Sequence, residues 1–103
     1  MADATTARPK AVPEVLVDND RVVATRWSFV EGAETGWHRH GHDYVVVPLG
    51  DGTLILEEPG GAVREAPLRS GEPYFRPEGV EHNVVNGSAG PFAFLEIEIK
   101  KAG

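Results

Sequence analysis

The chain has 103 residues, of which 41% are hydrophobic and 25% charged, and its formal net charge is −6. This length, and this proportion of hydrophobic to charged residues, are typical of one small globular domain and exclude a disordered chain. The acidic balance, without a basic stripe, argues against a nucleic-acid partner, and the absence of cysteine excludes disulfides, thiolate metal ligands and a cysteine nucleophile.

The first residues contain no apolar run typical of a secretion signal. No segment approaches the roughly 20 apolar residues that a membrane-spanning helix needs. We therefore expect a cytoplasmic protein with no membrane partner. The polar, proline-containing residues 1–12 are predicted to form a flexible N-terminal arm, and residues 13–103 a single domain.

From residue 13 onward the chain is predicted to be built of short β-strands. Val, Ile, Phe, Tyr, Trp and Thr fill these segments, several of which alternate polar and apolar residues. The predicted strands are 15–17, 21–30, 44–49, 53–58, 62–66, 74–76, 83–86 and 92–100. Glycine, proline, asparagine and aspartate cluster between them as turns, and no long helix is predicted. This pattern predicts an all-β sandwich, jelly roll or barrel.

The last predicted strand, residues 92–100, has two faces of different chemistry. One face is aliphatic, with side chains from positions 93, 95, 97 and 99. The other carries Phe92, Phe94, Glu96 and Glu98. If the second face is interior, Glu96 is a candidate general base or partner of an arginine. If it is exterior, Glu96 is a solvated surface charge.

Three of the four histidines lie close together, at positions 38, 40 and 42. Side chains two residues apart on a strand point to the same face, so His38, His40 and His42 are expected to share one face. Imidazoles at this spacing can converge on one metal ion. His82 lies far along the chain, where a ligand from a distant strand of a barrel would be found. From spacing alone, a metal site and an accidental solvated cluster both stay open.

The same histidines carry a resemblance to the cupins. The first motif of that family runs Gly, five residues, His-x-His, three or four residues, Glu, six residues, Gly. Gly32, His38 and His40 match its first part, and Gly50 closes the segment. The second motif runs Gly, five residues, Pro-x-Gly, two residues, His, three residues, Asn. It is matched in full by Gly71, Pro77, Gly79, His82 and Asn86. The resemblance implies a single cupin-type jelly-roll β-barrel with His38, His40 and His82 as metal ligands. It extends, more weakly, to bacterial cupins associated with β-alanine degradation.

The match fails at the family's glutamate ligand. That residue should stand four or five positions after His40, where this chain has Tyr44 and Val45. The resemblance therefore implies a three-histidine site for a divalent transition metal, with iron(II) favoured and Mn, Ni, Co or Zn as alternatives. His42 is open as a fourth ligand, a nearby base or a loop residue. Tyr44 is open as a phenol that contacts the bound ligand or as a barrel-lining aromatic.

Three neutral imidazoles leave a divalent ion with its full charge and with open positions, which favours small anionic substrates. Arg76 is then the candidate that binds a substrate carboxylate, unless it faces solvent. Similarity to small all-histidine cupins implies a mononuclear metal-dependent dioxygenase acting on a small carboxylate-bearing metabolite. A non-catalytic binding module and a metal-dependent isomerase are the alternatives. We also expect a homodimer, because the edge strands of such barrels need covering.

Overall fold

Nine β-strands and no α-helix form within residues 7–101, the range that this computed structural model describes. The strands are β1 (Val12–Asp18), β2 (Val22–Phe29), β3 (His38–Arg39), β4 (Asp43–Pro48), β5 (Gly52–Glu58), β6 (Ala62–Leu68), β7 (Tyr74–Arg76), β8 (Glu81–Asn86) and β9 (Phe92–Ile99). A single turn of 3-10 helix, Pro59–Gly61, joins β5 to β6. Over the same range no helix has the length and apolar character needed to cross a membrane.

The strands form two antiparallel sheets. The five-stranded sheet has the order β1-β2-β9-β4-β7, and the four-stranded sheet has the order β3-β8-β5-β6. Neighbours such as β2 and β9, or β3 and β8, are far apart in sequence, so the chain crosses repeatedly between the sheets. The predicted all-β jelly roll is confirmed.

The hydrophobic core lies between the two sheets, because alternate side chains of each strand point into that layer. The five-stranded sheet contributes Phe29, Tyr44, Val46, Phe92 and Phe94. The four-stranded sheet contributes Leu54, Leu56 and Val84. The rings of Phe29 and Phe94 pack with their centroids 5.4 Å apart. The phenylalanine-bearing face of β9 is thus interior, and it places Glu96 and Glu98 on the interior side as well.

Each predicted strand is present, with bounds that differ by a few residues, but the histidine segment departs from the prediction. β3 contains only His38 and Arg39, and a bend at Gly41 and His42 interrupts the extended backbone before β4 begins. The prediction that all three histidines share one strand face is therefore wrong, because the alternation rule holds only along continuous extended backbone.

The N-terminal segment joins the two sheets. Pro9 and Ala11 exchange backbone hydrogen bonds with Glu34, at 2.9 and 2.8 Å, beside the four-stranded sheet. The chain then enters β1, which pairs with β2 at the edge of the five-stranded sheet. Residues 1–6, half of the predicted flexible arm, lie outside the described residues. The flexibility of the arm therefore stays a prediction.

Candidate metal centre

Three histidine side chains bring their Nε2 atoms together inside the fold. His38 on β3 and His82 on β8 are direct partners in the strand register, and His40 follows β3 in the chain. His40 Nε2 lies 3.0 Å from His38 Nε2 and 3.2 Å from His82 Nε2. The three rings meet at interplanar angles of 75°, 71° and 85°, so their edges converge and their faces do not stack.

These separations fit ligation of a single ion. Two nitrogens bound at about 2.1 Å, with an angle of about 90° between the bonds, lie about 3.0 Å apart. The nitrogens at 3.0 and 3.2 Å match that spacing. Imidazole donors suit divalent transition metals, and three of them leave positions open for other ligands. His38, His40 and His82 are therefore the residues that could hold a metal here.

The two buried histidines are held neutral, as metal ligation requires. Burial lowers the pKa of His40 to about 4, and the nearby His38 and Arg76 lower it in the same direction. Burial likewise lowers the pKa of His82 to about 3, together with the other two histidines. At neutral pH each of these two imidazoles therefore carries a single N–H and has one nitrogen with a free lone pair.

The His38 ring is oriented by a hydrogen bond at Nδ1, the nitrogen that faces away from the other two histidines. His38 Nδ1 lies 2.9 Å from the carbonyl oxygen of Gly36. A carbonyl can only accept, so Nδ1 holds the proton and Nε2 keeps its lone pair for a metal. This backbone partner is typical of metal-ligating histidines. In contrast, Nδ1 of His82 is buried without a hydrogen-bond partner in the described part of the chain.

A small cavity lies beside His82, between the two sheets. Its volume is about 20 Å³, which is room for about one water-sized molecule. Its polar lining comprises Tyr44, Tyr74, Arg76, His82 and Glu96. An open groove of about 490 Å³ adjoins it near β6 and β7, and Tyr74 and Arg76 line both spaces.

Arg76 lies on the interior side of β7 rather than on its solvent face. Its cross-strand partner is Tyr44. Phe75, the residue before Arg76 on the same strand, points outward with 57% of its surface exposed. Within residues 7–101 the Arg76 guanidinium has no ion-pair partner. The arginine therefore offers a positive charge without a direct ion-pair partner where the groove meets the cavity.

Glu96 also lies inside, near the Nε2 atom of His40. Its Oε2 is 4.0 Å from His40 Nε2, and its side chain is 13% exposed. Burial and the charge of Glu98 raise the pKa of Glu96 to about 7, against the opposing effect of the Trp27 indole. Glu96 and Glu98 form with His40 a second group of converging ligand atoms. Sequence reasoning did not single out Glu98, although strand alternation puts it on the same face as Glu96.

The aromatic ring of Tyr44 packs against the ring of His40. The two rings stack with centroids 3.8 Å apart and an interplanar angle of 17°. The Tyr44 hydroxyl is buried without a hydrogen-bond partner in the described residues, and burial raises its pKa. His42 lies in the bend before β4 and is not part of the group of converging nitrogens. The structure therefore places Tyr44, but not His42, against the three-histidine cluster.

Comparison with known proteins agrees with this fold. No family model matches the chain. The chain is 64% identical over 93 residues to the Beta-alanine degradation protein BauB of Pseudomonas aeruginosa, a match that covers 90% of this chain and 97% of the relative. A crystal structure of a cupin domain from Bordetella pertussis Tohama I is 55% identical, with a TM-score of 0.90 over 93% of this chain and 99% of that one. A crystal structure from Thermus thermophilus is 25% identical, with a TM-score of 0.71 over 99% and 98% of the two chains. With relatives this similar over nearly its whole length, the chain belongs to the cupin family.

Proposed function

We propose that this protein is a metal-dependent cupin enzyme, a mononuclear dioxygenase acting on a small carboxylate-bearing metabolite. The observation that carries the proposal is the convergence of the Nε2 atoms of His38, His40 and His82 next to the interior cavity. Iron(II) is the favoured metal, and Mn, Ni, Co or Zn are the alternatives. A bound iron(II) ion would supply a Lewis acid that holds an anionic substrate and reacts with dioxygen.

The substrate carboxylate is assigned to Arg76. A guanidinium presents several N–H donors in a planar fork that matches a carboxylate, and this one lacks an ion-pair partner in the described residues. From its place between groove and cavity, Arg76 would hold a substrate in the groove with the reacting end toward the histidines. The cavity itself, at about 20 Å³, admits only a small group.

Two further side chains are assigned to the bound substrate. Glu96 Oε2 lies near the Nε2 atom of His40 and is proposed to accept a proton or hydrogen bond from the substrate. The hydroxyl of Tyr44, which has no partner among residues 7–101, is proposed to donate a hydrogen bond to it. His42 is assigned a supporting role in turnover without ligating the metal. These assignments stay predictions.

The similarity to BauB supports a place in the breakdown of β-alanine or of a related short carboxylate. A compound of this class is small, carries the carboxylate that Arg76 would bind, and fits the groove.

We also infer a homodimer, on the strength of β1. This edge strand is exposed on both faces, and it carries Val12, Val15, Leu16 and Val17, which are 61%, 59%, 44% and 44% exposed. An apolar strand with an open edge is covered in most proteins by another strand or subunit. A second copy of the chain is the partner we expect. Light scattering of the parent and of Val15→Lys tests this, since the charged variant should dissociate.

Elemental analysis of purified, untagged protein tests the proposed function first. The parent protein should carry one equivalent of a transition metal, His82→Ala should carry none, and His42→Ala should retain it. Oxygen consumption by the iron-loaded protein is then screened against short carboxylates, including β-alanine. If the parent protein takes up no metal after anaerobic reconstitution, the proposed metal centre is refuted. If the protein binds metal but consumes no oxygen with these substrates, the dioxygenase proposal is overturned. The alternatives are then a non-catalytic binding module and a metal-dependent isomerase.

A further inference from the structure

The residue after the ligand His82 is a buried asparagine whose amide is fully engaged. Asn83 points to the opposite side of β8 from His82, because neighbouring side chains alternate along a strand. Its Nδ2 donates to Glu34 Oε1 at 2.8 Å and to Glu57 Oε1 at 2.9 Å. Its Oδ1 accepts the backbone N–H of Gly36 at 2.9 Å. With carboxylates on its nitrogen and a backbone donor on its oxygen, the amide has a single satisfied orientation.

Gly36 connects this amide to the metal centre. The residue whose N–H is held by Asn83 is the residue whose carbonyl accepts the proton of His38 Nδ1, at 2.9 Å. Gly36 lies outside the strands, with a φ of +91° that non-glycine residues rarely adopt. Gly36 itself pairs with no strand. Asn83 accepts its N–H, the Thr35 hydroxyl donates to its carbonyl at 2.9 Å, and that carbonyl orients the His38 ring.

The two carboxylates that hold Asn83 are themselves held by Arg8. The guanidinium donates to Glu34 at 3.0 Å and to the two oxygens of Glu57 at 3.2 and 2.9 Å. The two carboxylates that share this amide repel each other, and the attraction of both to the Arg8 guanidinium offsets that repulsion. Hydrogen bonds from Asn83 and Arg8 lower the pKa of both glutamates, so both stay charged near neutral pH. Arg8 thus completes a network that begins in the N-terminal segment and ends at His38.

We propose that Arg8, Glu34, Glu57 and Asn83 act together as a positioning network for His38, so that docking of the N-terminal segment sets the metal affinity. The inference rests on the proposed function, because it presupposes that His38 binds a metal. None of the four side chains donates a hydrogen bond to the three imidazoles, and that of Asn83, although the next residue in the chain after His82, lies on the opposite face of β8. Their effect passes through the Gly36 peptide, as expected for the outer partners that orient metal ligands.

Cobalt(II) binding to three variants of the full chain tests the network. Affinity is measured by competition with a chelator, and the visible absorption of bound cobalt(II) reports the ligand geometry. Asn83→Ala should weaken the affinity about tenfold, the low end of what loss of such a partner costs, and should change the spectrum. Arg8→Ala should weaken the affinity less, and Arg8→Lys should restore part of it. Arg26→Ala, which removes a comparable exposed ion pair with Glu14 at 2.6 Å, is the control and should bind like the parent.

The outcomes separate this inference from the proposed function. If the parent binds cobalt(II) while Asn83→Ala binds it with the same affinity and spectrum, the network is overturned and the metal centre stands. If Asn83→Ala does not fold, Arg8→Ala decides, because Arg8 is an exposed residue whose loss leaves the core intact. Unchanged affinity and spectrum in Arg8→Ala would then overturn the network. A parent that binds no cobalt(II) overturns the proposed function and the inference with it.

Discussion

Replacing Tyr44 with phenylalanine asks whether the hydroxyl group at this position serves a ligand or the fold. The Tyr44 side chain is 2% exposed and stacks on His40 with the ring centroids 3.8 Å apart, and phenylalanine would keep these contacts. The hydroxyl is buried without a hydrogen-bond partner in the described residues. A buried hydroxyl that loses its water contacts without gaining a partner costs about 1–3 kcal/mol.

The folded state bears that cost, and the unfolded state does not. Tyr44→Phe is therefore expected to raise the free energy of unfolding of the metal-free protein by about 1 kcal/mol. For a domain of this size, such a change corresponds to a rise in Tm of about 4–8 °C. Because burial raises the pKa of Tyr44, the phenol stays neutral in the folded protein, and the comparison does not depend on pH around neutrality.

Urea unfolding of the parent and the variant measures the difference in free energy of unfolding. The dependence of that free energy on urea concentration should be equal in the two proteins. Metal content should be unchanged, while substrate affinity or turnover should fall, since the hydroxyl is assigned to the substrate. A variant less stable than the parent by about 1 kcal/mol or more would refute the reasoning, because it would show that the hydroxyl is hydrogen-bonded in the folded protein.

Three other predictions address packing, substrate binding and pH. Gly52→Ala should destabilise the fold by about 1–3 kcal/mol in urea unfolding, since a Cβ there would lie 2.6 Å from Ser88 Oγ and 2.7 Å from Phe92 Cδ1. Gly50→Ala, whose Cβ would meet open space, is the matched control and should change stability little. Arg76→Lys keeps the charge but loses the planar fork, so it should raise KM for a carboxylate substrate with metal content unchanged. An unaltered KM would place the carboxylate elsewhere. The folded-state pKa values of Glu34 and Glu57 are lowered from 4.5, so their stabilisation is present above the unfolded pKa and is lost as pH falls below it. Urea midpoints measured down to acid pH should therefore drop less in Arg8→Ala than in the parent; equal drops would contradict this.

The strands could be predicted from sequence because their alternation is local. β7 has the predicted bounds, and β5 begins one residue earlier than predicted. The break after β3 could not be predicted, because distant residues set it. His40 N–H donates to the Val80 carbonyl, and Gly79 N–H donates to the His40 carbonyl, both at 2.8 Å. No pattern within the histidine segment reveals those partners.

The candidate site was predictable to the extent that motif spacing encodes it. The spacing identified His38, His40 and His82, whose nitrogens converge in the structure. Alternation along the last strand shows which residues share a face with Glu96 but not which face is interior, since that depends on packing against the other sheet. Asn83 was missed because its partners come from positions 34, 36 and 57, which only the fold brings together.

The placement of His38 on β3, His40 directly after it and His82 on β8 has a consequence for how the proposed metal ion would bind and dissociate. β3 is a two-residue strand at the edge of its sheet, and the five-stranded sheet supplies none of the three histidines. A chelator should therefore quicken amide hydrogen exchange at β3 and the adjoining turn while β9 stays protected. Unlike small domains that unfold without their metal, this one should persist as a folded apoprotein. The folded apoprotein would then bind metal according to the concentration of free metal and would release it again without unfolding.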